Sequence, residues 1–217
     1  MRNNFDAQLA HLNDLLSQMG ALCEEVIASV SKALSDKDTA LAEKVVTVDA
    51  EIDRKEREVE SICLKLLLQQ QPVARDLRQI SAALKMITDM ERIGDQAADI
   101  AEMVRFLQGH PTSECEEPMK NMAVSVISMV TESVEAFVKQ DIGLAKEAIR
   151  RDDVVDEYFD SIKKHLIARI AETPRDGEYA LDLLMIAKYL ERIGDHAVNI
   201  AEWVIFSVTG EHEREPE

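Results

Sequence analysis

Glu91-Arg-Ile-Gly-Asp95-Gln-Ala-Ala-Asp99-Ile-Ala-Glu102 returns one hundred positions later as Glu191-Arg-Ile-Gly-Asp195-His-Ala-Val-Asn199-Ile-Ala-Glu202. Between 91–106 and 191–206 the shared residues are Glu, Arg, Ile, Gly, Asp, Ala, Ile, Ala, Glu, Val and Phe, in that order. A string this specific does not recur by chance. The chain is therefore an internal duplication, and any fold assigned to it must be built from two similar halves.

The rest of the sequence says what each half is made of. Aromatic residues are 4% of the 217, with 7 glycines and 5 prolines. Strand formers and turn residues are scarce, so the fold is all-α. Phe5, Leu9, Leu12, Leu16, Met19, Leu22, Val26 and Val30 follow the spacing of an amphipathic helix, predicted over 5–34. Asp38 or Thr39 caps a second helix over 40–70, with Leu41, Val45, Val48, Ile52, Val59, Ile62 and Leu66 on its apolar stripe. Pro72 ends it. A third helix over 73–107 carries Leu77, Ile80, Leu84, Ile87, Glu91, Gly94, Ala98 and Ala101 on one line, which puts a carboxylate on the core-facing stripe at Glu91.

Gly109, Pro111 and Pro118 mark a linker at 110–118 between a first half, 1–109, and a second, 119–217. The second half repeats the plan with helices over 119–140, 142–172 and 178–208, then an acidic tail at 211–217 expected to be disordered. Helices of ~30 residues are ~45 Å long, and short turns force them antiparallel. The expected architecture is two tandem three-helix bundles, six long antiparallel helices in all.

Each half holds the same acids. Asp49 and Asp53 stand four apart on the second helix, and Glu91 and Asp95 four apart on the third. Asp152 with Asp156, and Glu191 with Asp195, repeat the arrangement. Residues four apart share a helix face, so two facing helices bring four carboxylates together. Anions held close repel or take up protons, and a hard multivalent cation relieves the conflict. Oxygen donors suit magnesium, calcium, manganese or iron. The plainer reading is solvated acids with Glu91–Arg92 and Glu191–Arg192 ion pairs at the surface; recurrence of the whole acid set in both halves favours the cation. Gly94 and Gly194 each cost about 1 kcal/mol in mid-helix, which points to close approach of a neighbouring helix or ligand. His196 has Gln96 as its counterpart, which argues against a metal role shared by the two halves.

Composition excludes other classes. A net charge of −17 argues against nucleic acid, whose phosphates need basic faces. Cys23, Cys63 and Cys115 form no CxxC pair, so reduced thiols are expected. The N-terminus lacks a signal-peptide core, and the apolar stretch near 122–130 is short of the ~20 residues a membrane span requires. A cytoplasmic protein that meets membranes only through partners is expected. No nucleophile elbow, P-loop or Glu-x-x-His signature is present, which weighs against an enzyme. A carboxylate-bridged dimetal enzyme and a purely structural scaffold stay as alternatives.

The layout and motifs resemble the PhoU family. The resemblance covers residues 5–208 and rests on the duplicated three-helix plan and on an acid-x-x-x-Asp motif. That motif reads Asp49-Ala-Glu-Ile-Asp53, Glu91-Arg-Ile-Gly-Asp95, Asp152-Asp-Val-Val-Asp156 and Glu191-Arg-Ile-Gly-Asp195. The run Gln71-Pro-Val-Ala-Arg-Asp-Leu-Arg78 is also similar. The resemblance implies pseudo-twofold symmetry and multinuclear metal sites on these motifs, iron or zinc, with manganese or magnesium as alternatives. It further implies a homodimeric negative regulator of the phosphate-starvation response. The implied partners are the ATPase subunit of the phosphate ABC transporter and a sensor histidine kinase. Asn199 stands where the first half has Asp99; if that position contributes to the metal shell, the two sites differ in charge and affinity.

Overall fold

The computed structural model describes residues 2–69, 72–108 and 115–211. Seven α-helices are described: α1 (Arg2–Asp36), α2 (Thr39–Gln69), α3 (Ala74–Val104), α4 (Glu116–Lys139), α5 (Ile142–Arg150), α6 (Asp152–Glu172) and α7 (Gly177–Thr209), with short 3₁₀ turns at Arg105–Leu107 and Pro174–Asp176. No strand occurs among the described residues. Residues 110–114 of the expected linker and 212–217 of the acidic tail lie outside them.

Local chemistry sets the helix ends. Lys37 takes φ 52° and stops α1. Asp38 then caps α2 as expected, its Oδ1 accepting from the backbone N–H groups of Ala40 and Leu41 at 3.0 Å each. Asp141 caps α5 in the same way, accepting from Leu144 N–H at 3.1 Å. Gly210, at φ +80°, closes α7.

One expected helix is broken. The stretch 142–172, read as continuous, divides at Arg151 into α5 and α6. Arg151 keeps right-handed angles (φ −71°, ψ −16°), but its N–H is shared between Glu147 and Ala148 carbonyls, and Val154 N–H returns to Arg151 O three residues back. The turn tightens without reversing direction. The Arg151 guanidinium meanwhile reaches Glu132 on α4 at 2.8 Å. Neither proline nor glycine stands at the break, so no sequence signal marked it.

The two three-helix halves, α1–α3 and α4–α7, share one core. α1 packs on α4, and α3 packs on α7 in the most extensive contact of the molecule, while α2 and α5/α6 flank the assembly. This corrects the reading of α3. The line through Ile80, Ile87, Gly94 and Ala101 is only the flank that faces α2. A second flank, Ala83, Met86, Met90, Ile93, Ala97, Ile100 and Val104, is also buried. A helix packed on several neighbours has a wide buried arc. Glu91 therefore sits at the margin of that arc, half-buried, and Asp95 is exposed. Met86, Met90, Met119, Met122 and Met129 are buried and fill the core, whereas Met185 is exposed. Cys23, Cys63 and Cys115 are buried thiols. α4 is long and apolar enough to cross a membrane, but half of its apolar window is buried within the bundle.

Candidate metal centres

α2 presents Asp49 and Asp53 towards Glu91 and Asp95 on α3, and α6 presents Asp152 and Asp156 towards Glu191 and Asp195 on α7. All eight predicted residues are thus gathered, four to each half, along the seam between an outer helix and a helix of the central pair. The deepest member in each half is the first aspartate. Asp49 Oδ1 and Asp152 Oδ1 are buried and have no hydrogen-bond partner. Burial, followed by Asp95, Asp53 and Asp99, raises the Asp49 carboxyl from its ordinary 3.8 to about 6. Burial, then Asp156, Asp195 and Glu191, raises Asp152 to about 6 as well. Glu91 is raised by burial, Asp95, Glu56 and Asp53. Asp156 is raised by burial and Glu191, with Lys188 acting against them.

These are open clusters. Among the described residues no three acid, histidine or cysteine side chains are drawn tightly enough to hold an ion as they stand. Asp53 also keeps an exposed contact with Arg57 at 3.5 Å. The donor chemistry nonetheless fits a hard cation. A buried carboxylate oxygen without a partner is costly, and it recurs at equivalent positions in the two halves, beside further carboxylates that raise its proton affinity.

Gly94 and Gly194 explain how the aspartates get so deep. A Cβ on Gly94 would come within 2.5 Å of Asp49 Oδ1 and 3.0 Å of Ile52 Cδ1. On Gly194 it would lie 3.4 Å from both Asp152 Oδ1 and Val155 Cγ1, ordinary van der Waals distance. The close approach inferred from the repeat is thus real, and stricter in the first half.

Several contributors escaped the sequence reading. Asp89 is 7% exposed on α3, and its Oδ1 accepts from Asn199 Nδ2 at 3.1 Å and lies 3.0 Å from His196 Nδ1. Reciprocally, Tyr189 on α7 faces Asp99 on α3, its hydroxyl lowering the Asp99 carboxyl against the burial and acids that raise it. Residues 89 and 189, and 99 and 199, are equivalent under the hundred-residue repeat, so the two contacts are pseudo-twofold mates and α3 runs antiparallel to α7. His196 and Asn199 are committed to this junction. The Asp99/Asn199 difference falls at this junction, and Asp99 also acts on Asp49 in the first cluster. Glu56 joins the first cluster and Lys188 the second. The repeat held only a partial signal for the junction: polar residues recur at the equivalent positions 89 and 189, and 99 and 199.

The PhoU domain family matches this chain twice, over residues 16–104 and 119–204. A Clostridium acetobutylicum protein named phosphate-specific transport system accessory protein PhoU homolog is 35% identical over 210 residues, covering 96% of each chain. The corresponding homolog 1 of Thermotoga maritima is 35% identical over 213 residues, covering 98% of this chain and 92% of its own. The crystal structure of PhoU from Pseudomonas aeruginosa superposes with a TM-score of 0.90 at 34% identity, covering 95% of this chain and all of the other. The phosphate transport system regulatory protein PhoU from Streptococcus pneumoniae superposes at 0.88 and 28% identity, covering 97% and 100%.

Proposed function

The chain belongs to the PhoU domain family, and from that premise we propose that it is a regulatory accessory protein of phosphate transport rather than an enzyme. It acts in the cytoplasm as a homodimer at the periphery of a membrane complex. There it couples the ATPase subunit of a phosphate ABC transporter to a sensor histidine kinase and holds the phosphate-starvation response off when phosphate is ample. The names of full-length relatives support the transport role.

The observation that carries the metal part of this reading is the pair of buried, partnerless oxygens on Asp49 and Asp152. Asp49, Asp53, Glu91 and Asp95 would hold a cation in the first half, and Asp152, Asp156, Glu191 and Asp195 in the second. Iron or zinc, with manganese or magnesium as alternatives, would supply positive charge that neutralises each cluster and ties an outer helix to the central pair. The protein's own part is positional: Gly94 opens room for Asp49, and the Asp89–His196–Asn199 and Tyr189–Asp99 contacts hold α3 and α7 in register.

Deletion tests the regulatory reading. A strain lacking the protein should express a phosphate-starvation reporter in phosphate-rich medium, and the wild-type chain should restore repression. Repression that persists without the protein overturns the proposal. Co-purification of the transporter's ATPase subunit tests the partner independently.

A further inference from the structure

The two candidate centres are not equivalent: the first carries Arg57 at its exposed edge beside Asp53, and the second carries Lys188 beside Glu191. Under the repeat, Glu56 on α2 corresponds to Phe159 on α6, and Thr88 on α3 to Lys188 on α7. The first half therefore adds a carboxylate where the second has an aromatic ring, and has a hydroxyl where the second has an ammonium group. Lys188 is used within its cluster. Its Nζ is ion-paired with Glu191, one turn along α7, whose side chain is only 14% exposed. The same Nζ lies 5.4 Å from the centroid of the Phe159 ring, within cation–π range. Phe159 thus holds the ammonium beside Glu191 where a mobile side chain would otherwise swing into solvent.

We propose that Lys188, seated on Phe159, is a tethered counter-ion of the second centre that competes with a divalent cation for Glu191 and makes that centre the weaker of the two. The inference rests on the metal reading above and adds to it an order of affinity and the residue that sets it. A built-in ammonium satisfies part of the cluster's charge without metal, so a cation entering there must displace an ion pair. A cation entering the first centre meets an additional carboxylate and displaces only the Arg57–Asp53 contact, which is long at 3.5 Å and more exposed than the Lys188–Glu191 pair. The first centre is then the one filled when cation is scarce, and the second responds at higher concentration.

Mn²⁺ is the probe, titrated calorimetrically into metal-stripped, full-length protein at low ionic strength, where the pair is least screened. Asp49→Asn/Glu91→Gln silences the first centre so that the second is read alone. In that background Lys188→Met, which keeps the aliphatic stem on Phe159, should tighten Mn²⁺ binding about fivefold, the upper range for one partly exposed ion pair, and Lys188→Arg should leave it unchanged. Conversely, with Asp152→Asn/Glu191→Gln silencing the second centre, Glu56→Phe/Thr88→Lys should weaken the first by a similar factor. Melting curves confirm that each variant is folded. Equal or weaker Mn²⁺ binding in Lys188→Met, with binding still measurable, overturns this inference and leaves the metal reading standing. No Mn²⁺ binding at either centre in any variant overturns both.

Discussion

The two halves of this molecule share a fold and a set of acids, yet they solve the same local problem differently. In the first half Asp49 is half-buried, its Oδ1 set against a glycine that leaves no room for a Cβ, and the charges acting on it are carboxylates, with Arg57 at the exposed edge of the cluster. In the second half Asp152 sits at ordinary packing distance from Gly194, and its cluster contains Lys188. The junction is asymmetric too. Asp89 on α3 engages two side chains of α7, whereas Tyr189 on α7 engages the single carboxylate of Asp99. Duplication preserved what the fold requires, a deep aspartate on the outer helix and a small residue opposite it. The surrounding charges were left to diverge.

The junction should give the largest effect. Asp89→Ala leaves His196 and Asn199 without their acceptor in a largely buried setting, and should cost about 2 kcal/mol in chemical denaturation. Tyr189→Phe removes one contact of the mate and should cost about 1 kcal/mol or less. Equal losses would break the asymmetry inferred for the two contacts.

The glycines come next. Gly194→Ala should stabilise the protein by up to about 1 kcal/mol, because alanine favours the helix and the space exists. Gly94→Ala should fail to show that gain, because the new methyl displaces Asp49 from its buried position. A matching gain at both sites would mean that Gly94 is not reserved for the aspartate.

The smallest effect is a slope with pH. Asp49 and Asp152 both rise from 3.8 to about 6 in the folded protein. Between pH ~4 and ~6 the native state keeps protons that the unfolded chain has released. The metal-free protein should therefore lose stability as pH rises through that window. Asp49→Asn and Asp152→Asn should each flatten the decline, and by similar amounts, in melts across the pH range. A steeper decline in either variant would contradict the assigned cause.

Much of this was legible in the sequence, and the failures have physical causes. The repeat disclosed the two halves, and four-residue spacing put the eight acids on facing helices. Single-stripe phasing misplaced Glu91, because α3 is buried on two flanks and a stripe records only one. It also missed the break at Arg151, where angles stay helical and no glycine or proline gives warning. The role of Asp89 was invisible because its partners lie more than one hundred residues away. His196 and Asn199 could only look like departures from the repeat until α7 was seen against α3.

The central claim is that both halves bind a cation through these carboxylates. Elemental analysis of protein purified without chelator, for the wild type and for Asp49→Asn/Asp152→Asn, tests it most directly. Bound metal in the wild type, lost from the folded double variant, is the predicted result. Wild-type protein without metal, whose melting temperature is unmoved by adding Mn²⁺, Fe²⁺ or Zn²⁺, would contradict it.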